Sequence, residues 1–475
     1  TTCFVSVLHS MQDKKQQLKR DENEMLQSQL FAVMTTKKHP PGPKGLPFIG
    51  MAHVFFRDVM EYIKMLPPYG DVVQVPVAGH KMIYMLHPDH IQYVLIKNRD
   101  NFVKGKFFER TKLIFGDGLV TSEGELWKAQ RKKMAPAFQH RHVDTFAEPI
   151  AETVSTLFES YPSEGHISVE SEMMAVTLEI ALQILFGTHA GQDVEVVGRA
   201  FSQMSEFFAS ASETFLPLPI WLPTPANRGF QRSFNELEGV VTRIIEERKG
   251  ASEQRSDLLG LLLQDEEGHG VMEDLQLRDE IRTLLLAGHE TTALGLTYAA
   301  WFLSGEPERQ EKMAAEINAI TGGGPVRGEH FEALTSVEQV FKEAMRLYPP
   351  APITMRESVN EDEIGGYHIP AGANIVIPML LMHRDPRWFD EPEVFKPERW
   401  TPAFEKSLPR FAYFPFGGGP RVCIGSRMAM LEGVLVLAEL IRRFQLTRTQ
   451  DKLPKLMPSI TLRLMKPLMM QITAR

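Results

Sequence analysis

Phe416-Gly417-Gly418-Gly419-Pro420-Arg421-Val422-Cys423-Ile424-Gly425 sets one of the chain's two cysteines in a glycine-rich loop. A helical pattern follows at once, from Ile424 through Met428, Leu431, Val434, Leu435 and Ala438 to Ile441. Glycines at 417, 418, 419 and 425 let the backbone turn tightly and approach a flat group without Cβ clashes. Backbone N–H groups around Cys423, with the N-terminus of the following helix, would stabilise a negative sulfur. Cys3, the other cysteine, is far away in sequence, which excludes a disulfide framework and the paired spacing of a zinc site. A lone thiolate in such a loop suits ligation of a single metal. A buried, inert cysteine in a turn is the competing reading.

A second unusual stretch, Ala287-Gly288-His289-Glu290-Thr291-Thr292, interrupts a long helical pattern from Leu275 to Leu303. Glycine in mid-helix costs about 1 kcal/mol against alanine, and β-branched threonines lower helix propensity further. The Thr291 hydroxyl can instead bond the Ala287 carbonyl four residues back, bending or widening the helix. Taken alone, Glu290 is equally well a helix charge in an ion pair and the threonines packing. Glu343 and Arg346 stand three apart, and Trp127 and Arg131 four apart, so each pair shares a helix face. Such pairs are common and usually solvated.

The decapeptide fills every fixed position of the F-x-x-G-x-R-x-C-x-G haem-binding loop, and on that ground the chain resembles the cytochrome P-450 family. The resemblance implies that Cys423 is the axial ligand of haem iron, its electron push favouring O–O cleavage. It also implies that Phe416 packs near the sulfur and that Arg421 binds a haem propionate. The helix insert is similar to the family's A-G-x-E-T-T signature, implying Thr291 as the alcohol of the oxygen pocket and Glu290 as an acid relaying protons. Trp127 and Arg131 match W-x-x-x-R and are thereby implied as propionate donors; Arg356 joins them by its position after Pro349–Pro352. Glu343 and Arg346 match E-x-x-R. Phe395-Lys396-Pro397-Glu398-Arg399-Trp400 resembles the P-E-R-F-like segment with Trp last, implying a buried network of Glu343, Arg346 and Arg399. The motifs keep the family's order from Trp127 to Gly425.

The implied fold is mainly α with a smaller β-rich part (α+β), haem lying between the long central helix and the cysteine loop. Residues 1–38 read as a charged N-terminal extension and 39–475 as one haem domain, entered through the proline-rich His39-Pro40-Pro41-Gly42-Pro43. Alternating β-branched residues predict a hairpin of Asp71–Pro76 and Lys81–Leu86 turning at Ala78-Gly79, with further strands over Ile364–Ile369 and Asn374–Ile377. Leu216–Pro225 reads as a Pro-rich loop. A net charge of −8 argues against a general nucleic-acid binder. No run of about eighteen apolar residues occurs, so no transmembrane helix is predicted. Two distant cysteines fit a reducing compartment, and the chain is taken as a cytoplasmic monomer of the soluble, bacterial-like type.

The implied cofactors are haem b and O2, and the implied reaction is insertion of one oxygen atom into a lipophilic substrate, fatty acid or terpenoid-like. No flavin or nicotinamide fingerprint follows the loop, so electrons from NAD(P)H must arrive through a separate protein. Lys128, Arg131, Lys132, Lys133 and Arg427 suggest an acidic ferredoxin or flavodoxin-type donor; a merely solvated basic helix is the bland alternative. Phe102–Leu119 is expected to cover the pocket, with Phe107, Phe108, Leu113, Ile114 and Phe115. Leu284, Ala287, Pro352, Ile353 and Met355 would complete its apolar lining. Lys104, Lys106 or Arg110 could hold a carboxylate, which tilts slightly towards a fatty acid. A haem-thiolate peroxygenase or isomerase would share Cys423 without needing the Glu290–Thr291 pair, and a non-catalytic haem sensor would need only the ligand.

Overall fold

A computed structural model describes residues 37–187, 196–200, 202–204, 207, 220–250, 257–263, 272–458 and 460–475. Residues 1–36 of the expected extension, 216–219 of the Pro-rich loop, and the side chains of Phe107 and Arg110 lie outside the described residues. Nine helices of ten or more residues stand among the described ones. They are α1 Lys106–Phe115, α2 Gly124–Met134, α3 Ala147–Glu159, α4 Val169–Phe186, α5 Pro225–Gly250, α6 Asp274–Leu303, α7 Pro307–Thr321, α8 Thr335–Leu347 and α9 Ser426–Arg443.

The strands are β1 Val72–Val77, β2 His80–Met85, β3 Phe102–Val103, β4 Glu164–Ser168, β5 Thr354–Ser358, β6 Asp362–Ile364, β7 Tyr367–Ile369, β8 Asn374–Ile377, β9 Phe444–Arg448, β10 Leu456–Pro458, β11 Leu462–Leu464 and β12 Met469–Ala474. They form a five-stranded sheet in the order β1-β2-β8-β5-β3, a three-stranded sheet β4-β12-β9 and two short pairs, β6-β7 and β10-β11. The predicted hairpin is present. Ala78 and Gly79 both take positive φ, 48° and 81°, the turn geometry that matches strand twist. Ile364–Ile369 divides into two strands at Gly365-Gly366, also at positive φ. The proline-rich entry is tied to the sheet, since Gln74 donates to Pro41 O at 2.8 Å.

α6 is the central helix. It is buried nearly all round, as an apolar helix inside a large core must be, and α4, α8 and α9 pack on it. One aromatic ring explains how α6, α8 and α9 come so close. Phe341 of α8 sits where a Cβ on Gly295 of α6 would lie 3.0 Å away and one on Gly433 of α9 only 2.3 Å away. Side chains at both glycines would displace a ring whose burial contributes about 1.5–3 kcal/mol.

Behind α8 the expected network is present and larger than its motif. Glu343 accepts from Arg346 Nε and Nη2 at 2.9 Å each, and from Arg399 Nε at 3.1 Å. The Trp400 indole N–H and the Lys396 amide each add a bond of 2.9 Å. Arg346 donates onward to the carbonyls of His383, Pro392 and Val394. Trp400, where the motif has Phe, is thus a working donor.

Candidate active site

The cysteine loop closes on itself, with Cys423 N–H donating to Phe416 O at 3.0 Å. Gly419 must be glycine: its φ is 69°, and a Cβ would fall 2.3 Å from Leu95 O. Gly425, by contrast, takes an ordinary φ of −89° and has no close neighbour. Cys423 is a free, exposed cysteine. Burial nevertheless pushes its thiol up, opposed by the Gly425 N–H and the Arg131 guanidinium. The residue is thus accessible while its thiol sits in crowded surroundings. Phe416 packs half-buried against the core beside it.

Around the loop the structure gathers the other residues expected there. The Arg421 guanidinium lies 3.9 Å from the Trp127 ring centroid, a cation–π contact. Arg421 also donates to Ser122 O at 2.8 Å and to Glu123 at 3.3 Å. Arg131 donates to Val422 O at 3.0 Å. Arg356 arrives on β5, whose pairing with β3 brings it near Lys104, the residue that follows β3. Lys104, Arg356 and Arg421 therefore share one carboxylate, Glu123, and Arg131 lies beside Arg421 and Cys423. Burial, then the neighbouring Arg356 and Arg421, depresses the Lys104 ammonium well below the lysine range. Burial brings Arg356 and Arg421 down to about 10 despite Glu123. Such an excess of positive charge, part of it buried, fits a dianionic group. Lys104 had been weighed as a substrate anchor. It lies in this cluster, with its ammonium 4.7 Å from the Phe108 ring centroid.

On α6 the helix runs unbroken through the insert, so the expected bend or widening is not present as a break. The Thr291 hydroxyl donates to Ala287 O at 2.9 Å, as the sequence suggested. Ala287, Gly288 and Thr291 are half-buried on a helix otherwise sealed here, and together they mark an open face. Glu290 points elsewhere. Its carboxylate meets Arg463 Nε at 2.6 Å and accepts from Thr461 at 2.9 Å. Burial raises it, while Arg463 and then Thr461 lower it. His289 is buried with its Nδ1 2.6 Å from Leu285 O, and burial pushes its imidazole down to about 4.

Arg463 of β11 and Thr461, just before that strand, are partners of Glu290 that no motif in the sequence reveals, because they lie about 170 residues away. The basic patch is less free than its sequence suggested. Lys128 pairs with Glu125 at 2.7 Å, and Arg427 with Asp144 at 2.9 Å and Glu332 at 3.1 Å; Lys132 stays exposed. Among the described residues, no helix is long and apolar enough to cross a membrane, and no group of three His, Cys, Asp or Glu could hold a metal.

Comparison with known proteins points the same way. The family model described as Cytochrome P450 matches residues 40–473. Cyclooctatin synthase of Streptomyces melanosporofaciens is 33% identical over 422 residues, covering 86% of this chain and 90% of that protein. Pentalenene oxygenase of Streptomyces avermitilis is 28% identical over 413 residues, covering 86% and 91%. Among solved structures, retinoic acid bound cyanobacterial CYP120A1 superposes with a TM-score of 0.80 at 25% identity, covering 93% of this chain and all of that one.

Proposed function

Since this chain belongs to the cytochrome P450 family and is a monooxygenase of that family, we propose that it oxygenates a compact terpenoid-like lipophile using electrons from a separate redox protein. The strongest support for the site is the meeting of the Cys423 loop and Arg131 with three further cations, Lys104, Arg356 and Arg421, gathered around Glu123. Cys423 Sγ would hold haem iron; Arg131, Arg356, Arg421, Lys104 and Trp127 would hold the propionates, and Phe416 would cover the sulfur. Haem bound there supplies the iron chemistry that activates O2.

The chain's own residues orient, exclude water and move protons. Thr291 donates its O–H to Ala287 O, which leaves the hydroxyl oxygen free to accept a hydrogen bond from a water on the open face of α6. Glu290 is the proton source on the same helix, with Arg463 and Thr461 holding it in reserve. Proton delivery requires the carboxyl to swing off Arg463. Ile114 and Phe115 of α1, with Pro352 and Met355, are buried apolar residues that would wall the face and keep it dry.

With Lys104 drawn into the cation cluster, the argument for a fatty-acid carboxylate keeps only Lys106 and Arg110 of its three candidate residues. A relative named for pentalenene favours a compact hydrocarbon instead. Exposed Lys132 on α2 and the region around Cys423 form the proposed docking face for an acidic ferredoxin or flavodoxin, with NAD(P)H as the ultimate donor. The haem domain is taken as residues 39–475. Titrating the haem-loaded protein with cyclic terpenes and with long-chain fatty acids tests the substrate class. Spin shifts and oxygenated product are expected with the terpenes. Shifts and turnover with fatty acids alone would overturn it.

A further inference from the structure

The loop joining α1 to α2 is fastened to α6 by two carboxylates with no part in the oxygen chemistry. Asp279 accepts the N–H of Asp117 at 2.8 Å, and Glu280 that of Leu119 at 2.9 Å. Gln276 bridges the pair, donating to Asp117 O at 3.1 Å and to Glu280 at 3.3 Å. The seat is close. Gly116 has a φ of 56°, and a Cβ there would lie 2.1 Å from Asp279 Oδ1. One on Gly118 would lie 2.1 Å from Thr283 Oγ1. The same loop continues to Ser122 and Glu123, which Arg421 grips. It therefore spans from the pocket side of α6 to the cation cluster.

Glu280 has no exposed surface, and the cations nearby are engaged elsewhere. Arg282 pairs with Asp279 and Glu238. Arg278 lies 3.9 Å from Glu238 and also bonds Thr242. Lys112 of α1 pairs with Asp117 at 3.1 Å and Glu109 at 3.4 Å. Burial pushes the Glu280 carboxyl up to about 7; the Leu119 N–H and Gln276 oppose this, and Asp279 adds to it.

We propose that Glu280 is a proton-operated positioning residue for substrate access: protonated, it lets the Gly116–Leu119 loop stay seated on α6, and ionised, it draws water beneath the loop and frees it. The assignment of this loop to the substrate pocket rests on the monooxygenase reading above. The direction follows from linkage. A carboxyl that holds its proton more tightly with the loop closed than when solvated favours closure at low pH, and closure weakens as pH rises towards the closed-state value. Entry of a lipophile past the loop is then easier at pH 8 than at pH 6.

Hydrogen exchange on the haem-loaded full chain tests this, with rates corrected for intrinsic exchange. In the wild type, protection of the Asp117 and Leu119 amides is expected to fall about tenfold between pH 6 and pH 8. Glu280→Gln, isosteric and permanently neutral, should keep them protected at both pH values. A purely structural role would change the level of protection and leave the pH slope alone. Equal protection of the wild type at both pH values, or a Gln variant that follows the wild-type slope, overturns the proposal. The wild-type slope decides the matter even if the variant fails to fold. Failure of the monooxygenase reading would show in the haem spectrum and leave this slope untouched.

Discussion

Glu343 behind the cysteine side and Glu280 on the pocket side are both glutamates without exposed surface, yet their surroundings differ in kind. Glu343 receives two guanidinia, an indole N–H and a backbone N–H. Glu280 receives, among the described residues, one backbone N–H and one carboxamide. A buried charge so fully partnered is costly to disturb, whereas one lacking a cation is inclined to keep its proton. The first environment ties α8 firmly to the Lys396–Trp400 segment. The second makes a part that responds to its solvent.

Paired melts can break that contrast. Glu343→Ala strands two arginines in the core and is expected to cost about 3–5 kcal/mol, with loss of bound haem. Glu280→Gln is expected to gain about 1–3 kcal/mol at pH 8. The sign follows from a folded-state value of about 7 against an ordinary 4.5. The folded protein keeps this proton longer, so wild-type stability falls as pH rises between those values, and the Gln variant escapes that loss. Similar losses in both variants would erase the distinction. Thr291→Ala comes last in stability, within about 1 kcal/mol for one half-buried hydrogen bond, but it sharpens the functional side. Oxygenated product per NADPH consumed should drop steeply while consumption continues. Unchanged coupling would remove Thr291 from the oxygen site.

The cysteine side was the more legible in the sequence because its determinants are local. Phe416 to Gly425 is one uninterrupted loop, Glu343 and Arg346 share a helix turn, and Trp127 and Arg131 share another. Spacing alone therefore predicted their faces. The hairpin at Ala78-Gly79 and the long helix ending at Leu303 were legible for the same reason, through period-2 and 3.6-residue patterns. What escaped was long-range pairing. Arg463 reaches Glu290, and Glu280 reaches Leu119, across more than 150 residues; neither partner carries a pattern of its own. Lys104 carried no pattern to place it, because one lysine in a loop looks the same whether it faces a substrate or a cofactor. Only the sheet pairing of β3 with β5 places it near Arg356.

The most direct test of the whole account is the carbon monoxide difference spectrum of the dithionite-reduced, haem-loaded protein. Ligation through Cys423 predicts the strongly red-shifted Soret band of a thiolate-bound haem, absent in Cys423→Ala. A folded, haem-loaded wild type showing instead the band of a histidine-bound or unligated haem would contradict it.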